Sequence, residues 1–419
     1  MIYIREFIII PVGLSLLVIL SVLGYSLKAQ TSLGYLMINE SSGITKLRIV
    51  SVADALTSGN GVVKIKMADG AIGAADLVSI DHPDASAVRV QTPYGTKSWR
   101  KESLFGYVYY GALADGGTSL AKTSDGGFAI GGSSNSWGAG LMDHLLIKTD
   151  ADGVNTWTGV YGTAYDNYGN DLIQRSDGGY VQVGVIFISS SYYIYLSLVN
   201  PDGSLQSNGY WLPPAGNTQA YEVIQCADGN FLTAGYIYGY GNGSNDVYIV
   251  KFNSSGATLW ANALGTTNSE SAYGVVQRPD GGYIVVGEGY SGTNREALYY
   301  AMGPDGLFQN GYLIGGTGVE SAQSVVRSSD DKYVFAGYTT SFGAGGYDIY
   351  FRKQDGSSDV WSYALGGTAD DLGMEVINTI DGGFAITGYT KTWGNGNADI
   401  WLIKTDSEGD VEWSWVFGS

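Results

Sequence analysis

A four-residue signature, Asp followed by two small or polar residues and then an aromatic, recurs six times along this chain. No other feature constrains its fold as strongly. It stands at Asp125-Gly-Gly-Phe, Asp177-Gly-Gly-Tyr, Asp228-Gly-Asn-Phe, Asp280-Gly-Gly-Tyr, Asp330-Asp-Lys-Tyr and Asp381-Gly-Gly-Phe, at spacings of 52, 51, 52, 50 and 51 residues. Asp-Gly between two alternating apolar runs is a strong hairpin signal, and it predicts a two-residue primed turn, which needs positive φ. Each unit then carries a second hairpin. In the last unit Asp399-Ile-Trp-Leu-Ile-Lys-Thr-Asp406 precedes Ser-Glu-Gly and a strand from Asp410 to Phe417; the first unit matches it from Asp143 through Trp157. Four strands in roughly 51 residues make one propeller blade. A single pair of hairpins cannot hide its own apolar faces, so the units must pack side by side around a wheel.

The predicted fold is therefore all-β, a β-propeller of six four-stranded blades over residues 106–419. A β-helix has much shorter coils, a helical solenoid would show a 3.6-residue period, and a string of sandwiches needs about 100 residues per unit. Blade number stays open by one. Leu104 to Gly111 (LFGYVYYG) resembles the outer strand Thr156 to Gly162 (TWTGVYG), and residues 63–100 carry hairpin-like sequence. Residues 31–105 are thus either a small β-module or a degenerate seventh blade.

Residues 1–30 read as a targeting segment. Phe7 to Leu27 is uncharged and apolar, flanked by Arg5, Glu6 and Lys28. That length crosses a bilayer as a helix, while Gly24-Tyr-Ser26 offers small-x-small cleavage chemistry. Signal peptide and membrane anchor both remain open, and either places the rest of the chain outside the cytoplasm, secreted or at the cell surface.

Composition agrees with such a fold. The chain holds 63 Gly, 32 Tyr and 10 Trp but only 8 Pro, which suits many short strands and tight turns and opposes disorder. A net charge of −18 repels phosphate backbones and excludes nucleic acid as a partner. Cys226 is the one cysteine, so no internal disulfide can form, and it falls in a strand pattern as a small buried hydrophobe. His82 and His144 are the only histidines, which leaves no histidine zinc cluster.

A tryptophan follows the second turn's glycine by four residues in three units, Gly153/Trp157, Gly256/Trp260 and Gly409/Trp413, and by five at Gly356/Trp361. This Asp-x-x-Gly-x-x-x-Trp arrangement is similar to the tryptophan-docking repeat of quinoprotein-type propellers, and more loosely to the Asp-box of sialidase propellers. The resemblance covers residues 107–418 and lapses in units two and four. It implies blades packed by large rings and implies no cofactor.

Repetition sets equivalent residues in rings, where propellers bind. One ring, in the loops entering the innermost strands, carries Asp115, Asp166, Gln219, Glu270, Glu320 and Asp370. Its five acids could hold Ca²⁺ through oxygen ligands, though carboxylates that simply fix their own loops fit the repetition better. A second ring carries Trp137, Tyr240, Phe342 and Trp393 on Gly-rich loops between strands two and three. These aromatics either stack on sugars and protein surfaces or wedge between blades. Asp143, Asp246, Asp348 and Asp399 follow those loops and read as structural. Arg295 and Arg352 break the pattern.

The functional expectation is a surface-exposed or secreted binding or structural protein of a cell envelope, appendage or virion, without enzyme activity. It would present a propeller face to a glycan or protein, with self-assembly or membrane attachment through residues 7–27 left open. The alternative is a polysaccharide-active hydrolase or lyase, which predicts non-repeating Asp, Glu, Tyr or Arg residues converging on one funnel.

Overall fold

A computed structural model of the chain describes residues 113–213, 216–394 and 397–418 with their side chains. Before them only the backbones of seven strands are described, in three small antiparallel sheets. The chain divides into two compact units, Met1–Val108 and Tyr109–Ser419. In the first, Ile4–Val12 pairs with Ser15–Val22. Residues 23–27, and the parts of 31–105 outside Gly34–Glu40, Gly43–Ile49 and the meander Ser79–Asp84, Ala87–Thr92, Gly95–Arg100, lie outside the described residues. Among the described residues no helix is long and apolar enough to cross a membrane.

The second unit is six four-stranded antiparallel blades in a propeller arrangement. Blade 1 runs from Asp115 to Tyr161, blade 2 from Asp166 to Tyr210 and blade 3 from Asn217 to Leu264. Blade 4 runs from Glu270 to Ile314, blade 5 from Glu320 to Leu365 and blade 6 from Asp371 to Phe417. The two middle strands of a blade pack on both neighbours, so they read as continuous apolar runs. Val181 to Ile186 and Val247 to Val250 are buried throughout. Outer strands face solvent, as in the mostly exposed Leu205–Tyr210.

Every blade bends its innermost strand with a bulge at the same place. The register shifts at Gly117/Ser119, Gly169/Asp171, Ala220/Glu222, Ala272/Gly274, Ala322/Ser324 and Gly373/Glu375. Opposite each bulge lies a glycine: Gly132, Gly184, Gly235, Gly287, Gly337 and Gly388. A Cβ there would run into the carbonyl oxygen of the adjacent inner strand, Ser271 in the case of Gly287. The extra residue draws the two backbones together, and only glycine leaves room.

The Asp-Gly turns differ from the expected two-residue form. In blade 1 Gly126 N–H donates to Thr123 C=O while Thr123 N–H donates to Gly127 C=O. That is a three-residue loop, a type I turn followed by one left-handed residue, with φ of 88° at Gly126 alone. Asp125 accepts Gly127 N–H, which is why Asp opens the signature. Blade 5 has Asp331 in the left-handed position, at φ 61°.

Each turn Asp also pairs with a cation of its own blade, buried in every blade but the fourth. In blades 1, 3, 5 and 6 the third strand supplies it, as Lys148 to Asp125 at 2.8 Å, Lys251 to Asp228 at 2.6 Å, Lys353 to Asp330 at 3.1 Å and Lys404 to Asp381 at 3.0 Å. Blades 2 and 4 have Leu198 and Ala301 in that strand position. There the turn itself supplies the charge, Arg175 to Asp177 at 3.0 Å and Arg278 to Asp280 at 2.5 Å.

Five core clusters hold successive blades together, and each spans one junction from blades 1 and 2 to blades 5 and 6. Trp157, Trp260 and Trp361 contribute by packing against Tyr180, Tyr283 and Phe384 of the next blade, at ring separations of 5.6, 6.3 and 6.1 Å. Cys226 lies buried in one of these junctions with its Sγ 3.7 Å from the Tyr283 hydroxyl. Among the described residues no such cluster joins blade 6 to blade 1.

Candidate functional site

The bulges decide what reaches the axis. Inserting one residue puts two consecutive side chains of the inner strand toward the middle of the wheel. The first of the two is Thr118, Asn170, Tyr221, Tyr273, Gln323 or Met374; the second is Ser119, Asp171, Glu222, Gly274, Ser324 or Glu375.

The second set mostly links neighbouring blades. Ser119 Oγ accepts Leu172 N–H at 3.1 Å, Asp171 accepts Val223 N–H at 2.9 Å, Glu222 accepts Val275 N–H, and Ser324 Oγ accepts Val376 N–H at 3.2 Å. Three residues of this set, Asp171, Glu222 and Glu375, are acids that feel one another. Burial, then the charges of Asp171 and Glu375, push the Glu222 carboxyl well above the usual range. Burial, then the charge of Asp171, lifts Glu375 to about 7.

The first set is asymmetric. In blades 1 and 2 the side chains bond the next strand, Thr118 to Gly169 C=O at 2.9 Å and Asn170 to Ala220 C=O at 2.7 Å. In blades 3 and 4 tyrosines take their place, with Tyr221 and Tyr273 edge to face at 5.0 Å. Tyr236, on the second strand of blade 3, lies 6.0 Å from Tyr221. The matching second-strand position is Glu288 in blade 4 and Tyr338 in blade 5. Arg295 Nη1 reaches Glu288 at 3.5 Å, and its guanidinium lies 5.7 Å from the centre of the Tyr338 ring. Tyr347 closes the group, edge-on to Tyr338 at 5.3 Å.

These seven residues are all partly buried, so each keeps some face to solvent. Burial, followed by the charge of Glu288, raises the Tyr273 phenol, and burial together with Tyr236 and Glu288 raises Tyr221. Both phenols are therefore protonated hydrogen-bond donors at neutral pH. The cluster offers flat aromatic faces, phenol donors, one carboxylate and one planar cation in one place.

The acids of the predicted ring are engaged with loops of their own or the preceding blade. Asp115 accepts the Ser134 and Ser136 hydroxyls at 2.6 and 2.8 Å. Asp166 accepts Met142 N–H at 3.2 Å, and Glu270 accepts Thr266 N–H at 3.0 Å. Glu320 accepts Gly316 and Ser341 N–H at 2.9 and 3.2 Å, and Asp370 takes Tyr347 N–H and Lys391. Among the described residues no three His, Cys, Asp or Glu side chains group to hold a metal ion. Asp143, Asp246 and Asp348 are buried and accept N–H groups of the preceding Gly-rich loops.

Trp137, Tyr240, Phe342 and Trp393 are half-exposed on those loops. Two of them rest on their own blade, Phe342 stacked on Tyr350 at 5.8 Å and Trp393 on Trp401 at 4.8 Å. Of the off-pattern arginines, Arg295 belongs to the axial cluster. Arg352 is tied within blade 5 to Tyr350 and Asp359. His144 is wholly buried beside Tyr195 and Ser197, and burial lowers it to about 3.

No family model matches the chain, and no curated protein is significantly similar to it. Solved structures are similar at low identity. A protein of unknown function from Bacteroides caccae is 16% identical over 67% of this chain and 92% of its own, with a TM-score of 0.42. A puromycin hydrolase is 12% identical over 72% of this chain, which spans 46% of the hydrolase, with a TM-score of 0.48. A Hadza microbial sialidase is 11% identical over 78% of this chain and 73% of its own, with a TM-score of 0.41.

Proposed function

We propose that the propeller is a non-enzymatic binding module of an exported or cell-surface protein, and that it holds a glycan at the axial cluster. The observation that carries this reading is the break in pseudo-symmetry. Tyr221, Tyr236, Tyr273, Glu288, Arg295, Tyr338 and Tyr347 gather at the axial side of blades 3 to 5, while the equivalent positions of blades 1 and 2 serve the scaffold. Tyrosine faces stack on sugar rings, and phenol, carboxylate and guanidinium groups orient hydroxyls or an acidic sugar. A structural role needs no such departure from the repeat. The apolar segment 7–27 supports placement outside the cytoplasm.

A hydrolase reading draws on one contact, the Tyr273 phenol beside Glu288. Burial and the Glu288 charge raise that phenol, which favours its use as a hydrogen-bond donor to a bound sugar. Binding without turnover fits better. Calorimetry of the full chain against a panel of neutral and acidic oligosaccharides tests the proposal. Binding to at least one class, lost tenfold or more in Arg295→Ala and in Tyr273→Ala, is the expected result. Uniform absence of binding, or affinity unchanged by both variants, overturns it. Product release from the same oligosaccharides would promote the hydrolase.

A further inference from the structure

Blades 1 and 6 each expose a face that every other blade buries. The residue two places beyond the bulged one points at the preceding blade. It is Leu172, Val223, Val275, Val325 and Val376 in blades 2 to 6, exposed by 0–4%, but Leu120 of blade 1 is 67% exposed. On the opposite face one residue near the start of the third strand, matched by its register with the second strand, points at the following blade. His144, Ile194, Val247, Ala297 and Ile349 are exposed by 0–1% in blades 1 to 5, whereas Ile400 of blade 6 is 59% exposed. Ile377 of blade 6 is exposed as well, while its equivalents Ile173, Ile224, Val276 and Val326 pack into the junction cores. The linker series stops at the same place, because Glu375 accepts no N–H from a following blade among the described residues, only the Ser324 hydroxyl. Two complementary apolar faces, one at each end of the series, are the two sides of one slot.

We propose that this slot takes a seventh blade made of residues 63–111 of the same chain. Three features of the chain select that occupant. Residues 63–111 are about one repeat long, and they run directly into blade 1. At every other junction the stretch just before an inner strand is the outer strand of the preceding blade. Leu104 to Gly111 holds that place before Asp115, with the same aromatic and glycine pattern as Thr156 to Gly162. Between these limits the backbone forms an antiparallel meander, Ser79–Asp84, Ala87–Thr92 and Gly95–Arg100, and the sequence Leu104 to Gly111 offers a fourth strand by its likeness to Thr156 to Gly162. Burying Leu120, Ile377 and Ile400 gives this blade the same apolar drive that joins the other six.

Photocrosslinking of the full chain tests the proposal. Cys226→Ala removes the native thiol, and Leu120→Cys or Ile400→Cys then carries a benzophenone maleimide. Both probes are expected to crosslink within one chain to peptides of residues 63–111. Three results would overturn the proposal: crosslinks from Leu120→Cys to residues 371–418, which means direct closure of blade 6 on blade 1; crosslinks between light and heavy chains in an isotope mixture, which means a second copy; or labelling as fast as that of Tyr238→Cys with no crosslink. Hydroxyl-radical footprinting of the unaltered chain guards against variants that misfold. Leu120, Ile377 and Ile400 should react at least fivefold more slowly than the comparably exposed Leu205, and equal rates would refute the seventh blade.

Discussion

The junction between blades 3 and 4 and the free faces of blades 1 and 6 are built from the same repeat, yet they differ in what covers them. At the first, Val275, Val247, Leu298 and Tyr283 interlock with Trp260 laid against them. At the second, Leu120 and Ile400 occupy the matching positions with nothing over them among residues 113–418. The difference separates two kinds of constraint. Turns, bulges and Asp–cation pairs are satisfied inside one blade and recur in all six. Apolar faces are satisfied only by a neighbour, so they report on what stands next to a blade.

Substitutions at the bulge glycines should have the largest effect and should ignore that difference. Gly287→Ala in blade 4 and Gly132→Ala in blade 1 both force a methyl group against a backbone carbonyl. Each should cost at least about 3 kcal/mol in urea unfolding, with no distinction between interior and terminal blades. A mild result at Gly132 alone would show that blade 1 is loosely formed.

Truncations at the packing position sharpen the contrast. Val275→Ala should cost about 2 kcal/mol. Leu120→Ala should cost a similar amount if a seventh blade covers it, whereas an uncovered leucine would cost less than about 0.5 kcal/mol. Equilibrium unfolding of the two variants side by side reads the comparison directly.

The axial acids predict a pH dependence of the next size. Glu375 has a carboxyl raised from 4.5 to about 7, so the folded chain takes up a proton that the unfolded chain lacks between those values. Stability then falls as pH rises through that window. Glu375→Gln should flatten the fall, by less than the full shift implies because the residue is exposed and solvent screens it. The turn acids run the other way. Hydrogen bonds from Thr379 and then Lys404 hold Asp381 down to about 2, so its contribution is present above the usual carboxylate range and fades as pH drops towards 2. Thermal melts from pH 3 to 8 should therefore peak on the acid side of neutrality.

The smallest effect belongs to blade 5. Asp331→Gly relieves a left-handed non-glycine residue and should stabilise by about 0.5–1 kcal/mol, since the exposed Arg327 pair it gives up contributes little.

Much of the wheel was legible in the sequence because each unit repeats its own punctuation. Asp125-Gly126 and its five counterparts fixed the number of described blades, and Asp150 and Asp406 marked the outer turns. The primed-turn reading failed because one left-handed residue after a type I turn uses the same two letters. The axial cluster was harder to see. Tyr221 and Tyr273 lie at bulged positions, where the strict alternation of a strand is lost, so a reading by parity sends one of each neighbouring pair to the wrong face. The acid ring drew attention because it repeats, and repetition marks what the scaffold needs. Arg295 was the one signal of the axial cluster available from sequence, and it stood out by failing to repeat.

The cations that pair with the turn aspartates are as informative as the glycines. Whether it comes from Lys251 on a strand or from Arg278 on a turn, the positive charge and its aspartate always belong to the same blade. Copying, deleting or exchanging a whole unit therefore separates none of these turn pairs. A wheel of this kind can gain or lose a unit with its turn pairs intact, leaving the apolar faces and the inter-blade links of Ser119, Asp171, Glu222 and Ser324 to be matched.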